Sequence, residues 1–272
     1  MKTIRPDAMV GKLRLRLVMD KSNAFIGVIF GPDDTIKAKI SGTDQDDVWR
    51  RLHDEAGKHN PKYFGFAGAR NRFLSFFPDG FGSDKYVGKE RAYKVNAKER
   101  LDATAPLEKA AKEIGLGQAV LAIVSATNML SPYEQMRLKD VLNSPSADTF
   151  VQAAAALTLG EGKPALHLMK QALKPHNAAT WPVATYLPFL WRPDNQMFLK
   201  PETTQDFANR VGHRFANDYE SDLRMEVYDS LLDLAAATAT AIADLSPRDR
   251  IDVQSFIWIV GKYEAKDVEE AS

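Results

Sequence analysis

From Lys12 to Met19 the chain reads KLRLRLVM, with Leu13, Leu15 and Leu17 alternating against basic residues. That is the period-two signature of a strand with one buried face. Ala24–Phe30, AFIGVIF, is a short apolar run that stops at the turn cluster Gly31-Pro32-Asp33-Asp34, and Thr35–Ile40 resumes the alternation as TIKAKI. The pattern predicts three antiparallel strands joined by tight turns. Thr43, with Asp46 three residues on, resembles a capping box with Asp in place of Glu and opens a helix with an acidic first turn. Val48, Trp49, Leu52 and Ala56 form its apolar face, and Gly57 ends it. Lys62–Phe66 offers a fourth strand leading into GARNRFLSFFPDGFG.

From about Asp102 the texture becomes helical. Ala105–Ile114 and Gly117–Met129 are rich in Ala, Leu and Ile. Ser131-Pro132-Tyr133-Glu134 reads as a helix start, with Ser at the cap, Pro in the first turn and Glu three residues on, and Tyr133, Met136, Leu138 and Val141 form its face. Ser146–Leu159 and Lys163–Leu173 follow as helices, separated by Gly160-Glu161-Gly162. Phe207, Val211 and Phe215 mark an amphipathic stripe within Thr204–Ala216, and Leu223–Leu245 is the longest helical candidate. Asp252–Val260 is too short for periodicity to separate a last helix from a buried strand, and the charged tail from Glu264 is expected to fray.

These textures predict an α+β fold: a small N-terminal antiparallel sheet with a helix, packed on a larger, mainly helical region. The glycines of Gly80–Gly88 suggest a division into an α+β region over 1–88 and a helical region over 89–272. No Pro/Ser/Gly-rich linker separates them, so the two are expected to pack closely. The 272 residues, 44% hydrophobic and 26% charged, suit an ordinary globular chain. The absence of cysteine removes disulfides, thiolate zinc sites and cysteine nucleophiles, and fits a reducing compartment. No apolar run approaches the ~20 residues that span a bilayer, and the first residues lack the pattern of a secretory leader. A soluble, cytoplasmic protein without membrane contact is expected.

Charge changes the picture. The formal net charge is zero, yet residues 1–100 carry 20 Lys/Arg against 13 Asp/Glu, and the remainder reverses the excess. Such polarity points the first part toward a polyanion and the second toward water or a basic partner; alternatively, the two ends neutralise each other within one monomer.

The strongest local constellation is Tyr63–Arg100, where aromatic residues interleave with cations. Cations neutralise phosphates and exposed rings stack bases, so the combination suits single-stranded or distorted nucleic acid. Arg70, Arg72, Arg91, Lys94 and Lys98 are the phosphate-contact candidates, with Phe73 and Tyr93 as stacking candidates. Arg91, Lys94 and Lys98 would form one ridge on a helix. The competing reading places the rings in a core with the cations solvating its outside.

A second constellation, WPVATYLPFLWRPDNQMFLKP over Trp181–Pro201, has four prolines that forbid one long helix. Trp181, Tyr186 and Trp191 are candidates for contact with a protein partner through the helical region, unless the segment is a buried crossover. The five histidines show no metal-pair spacing. His53 and His213 read as surface or helix-end residues, and no metal ligand or cofactor is specified. Asp54, Glu55 and Lys58 only loosely echo a nuclease site. P-loop, dinucleotide-fold and GxSxG signatures are absent.

Near the end, Pro247–Val260 sets Gln254 and Ser255 within an apolar block, where they must find partners. The phrase IDVQSFIWIV resembles closing segments of uncharacterised proteins associated with prokaryotic restriction and antiphage systems; the resemblance covers about ten residues and implies no site residue. The functional expectation is a nucleic-acid-binding accessory protein, with DNA or RNA as partner, in a prokaryotic DNA-associated or antiphage system. The alternatives are a protein-interaction subunit using residues 181–201 and an enzyme whose site is assembled from distant residues.

Overall fold

The alternation of Leu13, Leu15 and Leu17 with Arg14 and Arg16 is realised as the central strand of a five-stranded antiparallel sheet. A computed structural model describes residues 2–59, 63–264 and 267, and the fold is α+β. The strands are β1 (Lys2–Thr3), β2 (Ala8–Val10), β3 (Leu13–Met19), β4 (Phe25–Phe30) and β5 (Ile36–Gly42). β3, β4 and β5 form the expected meander, and β1 and β2 both pair with the remaining edge of β3. The register sets Leu15 opposite Ile29 and Leu17 opposite Gly27, which puts the leucines on the face covered by α1 (Gln45–Gly57). A Cβ at Gly27 would come within 2.9 Å of Leu52, so the helix lies close on the sheet.

The cap of α1 is Asp44, one residue later than the Thr43 expected from sequence. Its carboxylate accepts the Asp47 N–H at 2.7 Å, because β5 holds the chain extended through Gly42. Val48, Trp49, Leu52 and Ala56 are buried as the periodicity requires, and with Val10, Leu15, Leu17 and Ile29 they make a small core.

The second, larger core is helical. It contains α2 (Gly65–Phe76), α3 (Asp84–Tyr86), a π-turn over Val87–Arg91 that continues into α4 (Ala92–Thr104), α5 (Leu107–Ala110), α6 (Gly117–Val124) and α7 (Pro132–Leu142). Next come α8 (Ala147–Thr158), α9 (Lys163–Leu173), α10 (Trp181–Trp191), α11 (Pro201–Val211), α12 (Phe215–Asp218), α13 (Met225–Ala241) and α14 (Arg250–Lys262). The strand expected at Lys62–Phe66 does not form: Lys62 lies outside the described residues, and Gly65 and Phe66 open α2. α14 resolves the ambiguity at Asp252–Val260 in favour of helix; of the tail beyond it, 265, 266 and 268–272 lie outside the described residues. The capping box of α7 forms in full, with Ser131 N–H donating to Glu134 at 2.7 Å, although Tyr133 and Met136 of its expected face are exposed.

Ala69, Phe73, Phe77, Phe81 and Tyr86 all belong to the helical core. The two cores therefore divide between Ala56 and Phe64, earlier than the glycine cluster at 80–88 suggested. The units pack closely where α1 meets the end of α11. A Cβ at Gly57 would lie 2.7 Å from Gly212 Cα, and one at Gly212 would lie 2.9 Å from both Asp54 Cα and the His53 carbonyl. No helix among the described residues is long and apolar enough to cross a membrane.

Candidate functional site

The open surface expected from Arg70 to Lys98 is closed. Phe73 is wholly buried among Phe77, Phe81, Tyr86 and Phe256, so it has no face for a base. Arg70 pairs with Asp244 at 2.7 Å. Arg72 lies over Phe76 and donates to the Val260 and Tyr263 carbonyls at 2.8 and 2.7 Å, a cation placed at the negative end of α14. Arg91 pairs with Asp249 and Asp252, and Lys98 with Asp102 one turn on. Cations of the basic first part thus meet carboxylates of the acidic last part at Arg70–Asp244 and at Arg91 with Asp249 and Asp252. Arg91, Lys94 and Lys98 do not make a solvated ridge, because Lys94 is buried and Arg91 is turned onto α14.

The aromatic segment is also sealed. Every residue of α10 is buried. Trp181 donates to the Glu220 carbonyl at 2.8 Å, Trp191 to the Ala105 carbonyl at 2.9 Å, and the Tyr186 hydroxyl meets Thr127 Oγ1 at 2.7 Å. Burial pushes the Tyr186 phenol up to about 12. With ring faces and polar atoms both used internally, these three residues support a core helix, not a docking surface.

What the structure does assemble lies between the π-turn and α14. A π-turn holds one residue more than regular helix and re-aims the side chains on either side of it. Here it turns Glu90, Arg91 and Lys94 toward the polar stripe of α14. Asp252, fully buried, accepts from Arg91 at 3.0 Å, from the Arg248 guanidinium and N–H at 2.8 and 2.9 Å, and from the Tyr86 hydroxyl at 2.7 Å. Burial opposes its charge, but the Arg248 and Tyr86 hydrogen bonds and the Arg91 charge hold its carboxyl below the usual range. Burial also opposes the charge on Arg91; the Asp249 hydrogen bond and the carboxylates of Asp252 and Asp249 outweigh it and raise that pKa.

One turn further, Lys94 donates to Ser255 Oγ at 2.7 Å and to Glu90 at 3.2 Å, and the Tyr263 hydroxyl donates to the other Glu90 oxygen at 2.6 Å. Burial lowers the Lys94 pKa, against the pull of Glu90, so this amine gives up its proton more readily than a surface lysine.

This polar layer forms the floor of a cavity of about 310 Å³, within the size range of small-ligand sites. Lys89, Lys94 and Lys200 line it with Glu90 as the only carboxylate among the described residues, and Tyr93, Phe198 and Trp258 supply rings. Lys200 donates to the Met129 carbonyl at 2.9 Å, with Glu134 at 3.5 Å as its counter-charge, and Lys89 reaches the Asp267 carbonyl. Gln254, 7% exposed, has a side-chain carbonyl oxygen without a hydrogen-bond partner among the described residues. A buried acceptor left unpaired favours any ligand that brings a donor. The chemistry of the walls suits an anionic ligand with a flat ring and N–H groups.

Of the sequence candidates, Tyr93 and Lys94 lie at this cavity. Arg70, Arg72, Phe73, Arg91 and Lys98 do not line it, and neither do Trp181, Tyr186 and Trp191. Lys200, Gln254 and Trp258 were missed as site residues, although Gln254 stood out as a polar group in an apolar block. Phe198 and Lys200 belong to the extended chain after α10, whose prolines hid their direction. His53 and His213 are buried rather than superficial, and line a different cavity. Among the described residues no three His, Asp or Glu side chains are placed to hold a metal ion. No family model matches the chain, and no curated protein or solved structure matches it.

Proposed function

We propose that the protein binds nucleic acid by seating one nucleotide in the cavity between the π-turn, residues 128–132 and α14. The observation that carries this reading is the Gln254 carbonyl oxygen, without a partner among the described residues and set among three lysines and three rings. A base would offer an N–H to Gln254 and a face to Trp258 or Tyr93, while a phosphate would take Lys200 or Lys89 as counter-charge. The contact is thereby a single seat and not an extended surface patch. An accessory role in a prokaryotic DNA-associated or antiphage system belongs to the same proposal. The helix carrying that resemblance, α14, is also the one that supplies Gln254 and Trp258 to the cavity.

The test is fluorescence anisotropy with 5′-labelled single-stranded DNA and RNA of about eight nucleotides, a length within known single-strand site sizes. Saturable binding that weakens as salt rises is expected, with a loss of about tenfold or more in Gln254→Leu and in Lys200→Ala. Absence of saturable binding by the unaltered chain, or unchanged affinity in both variants, overturns the reading.

A further inference from the structure

One side chain at the cavity between the π-turn and α14 has chemistry that the seating of a nucleotide does not use. Lys94 lines this cavity with its side chain only 2% exposed. An ammonium carries three N–H donors. Ser255 Oγ takes one at 2.7 Å and Glu90 another at 3.2 Å, and the third meets no acceptor among the described residues. That donor and the Gln254 carbonyl oxygen, likewise without a partner among the described residues, belong to the lining of the same space. The Lys94 proton is also held loosely, because burial works against the charge more than Glu90 supports it. A desolvated lysine beside a proton acceptor is how an amine becomes a nucleophile toward carbonyl carbon.

The other walls narrow the choice of carbonyl compound. Trp258 and Tyr93 supply flat apolar faces, and the counter-charge of Lys200, Glu134, stands 3.5 Å off. Lys89 adds a second cation from the π-turn. A planar ring with a phosphate on one arm suits these groups, and a ring N–H or hydroxyl would donate to Gln254.

We infer that the cavity binds an aromatic aldehyde bearing a phosphate, the chemistry of pyridoxal 5′-phosphate, and that Lys94 Nζ condenses with its aldehyde carbon. The ammonium passes a proton to the Glu90 carboxylate, and the freed amine adds to the carbonyl to give a carbinolamine. That intermediate expels water, with the proton returned from Glu90, and leaves a protonated imine on Lys94. Ammonium and aldehyde thus become iminium and water, and nothing is oxidised or reduced. The positive charge stays beside Glu90, so the condensation strands no buried carboxylate. A nucleotide offers no aldehyde, so this reaction goes beyond nucleic-acid binding and does not depend on it.

The test is titration of the full chain with pyridoxal 5′-phosphate near equimolar ratio, followed by borohydride reduction and peptide mass mapping. An imine absorbance that saturates at one equivalent is expected, with the reduced adduct on Lys94. The analogue 5′-deoxypyridoxal keeps the aldehyde but lacks the phosphate, and should bind about tenfold or more weakly. Lys200→Ala should weaken the phosphate compound similarly. Lys94→Arg, which keeps the charge beside Glu90, should form no imine at this site. Adducts spread over exposed lysines with none on Lys94 overturn the proposal. Equal binding of 5′-deoxypyridoxal, or full affinity in Lys200→Ala, overturns it too. Should Lys94→Arg fail to fold, the mapping and the 5′-deoxypyridoxal comparison decide.

Discussion

Lys94 Nζ donates to Ser255 Oγ at 2.7 Å, joining residues 161 apart in sequence inside the helical core. The same ammonium neutralises Glu90, which also accepts from Tyr263. Removing one member of a buried charge pair leaves the other stranded, which costs about 3–5 kcal/mol. Lys94→Met is therefore expected to lose about that much stability in urea unfolding. Adding Glu90→Gln should recover part of the loss, so the double variant is more stable than the sum of the two single effects allows.

Stability should fall as acid is added, through His53. Its imidazole titrates near 6.5 in the unfolded chain and is pushed down to about 3 when folded. The unfolded state therefore binds more protons throughout that interval. The stability this residue contributes is complete above pH 6.5 and is lost progressively as pH falls toward 3, up to about 5 kcal/mol. Denaturation midpoints measured from pH 7 to pH 4 should drop less steeply in His53→Phe than in the unaltered chain.

The seam between the cores has a steric signature. Gly212 has φ +75°, a left-handed conformation, and a Cβ there would press on Asp54 Cα and the His53 carbonyl. Both neighbours are backbone and cannot step aside. Gly212→Ala is expected to destabilise by more than the ~1 kcal/mol of left-handed strain alone. Limited proteolysis should then find the sheet unit, residues 2–59, cut more readily than the helical body.

Phe73 offers a clean separation of packing from binding. Its ring meets those of Phe81 at 4.7 Å and Phe256 at 5.3 Å. Phe73→Ala should cost about 3–5 kcal/mol through the cavity it leaves. Affinity for single-stranded nucleic acid, corrected for the folded fraction, should stay unchanged. A selective loss of binding at full stability would restore Phe73 as a stacking residue and count against the enclosed seat.

The sheet and α1 were legible because each alternation or stripe met one covering element. Leu15, Leu17, Val48 and Leu52 lie where period two and period 3.6 put them. The candidate site was far less legible. Cations and rings near each other in sequence suggest a surface, but the partners that occupy Arg70, Arg91 and Lys94 are Asp244, Asp249 and Ser255, far along the chain, and the last two draw their cations inward. No local pattern carries that pairing. His53 was the nearer miss, since it falls four residues after Trp49 on the apolar face of α1, and that phase alone argued for burial. The fourth strand failed because Tyr63 to Phe66 reads equally as an aromatic approach to a helix.

The π-turn at Val87–Arg91 acts as an angular spacer between Tyr86 and Lys94, both of which must reach α14. Each residue of a regular helix advances the direction of projection by roughly 100°. Excising a single residue from this turn would leave an unbroken helix of good propensity, yet would swing one of these two partners away from its anchor. The count of residues here, more than their identity, is what fastens the two helices in step.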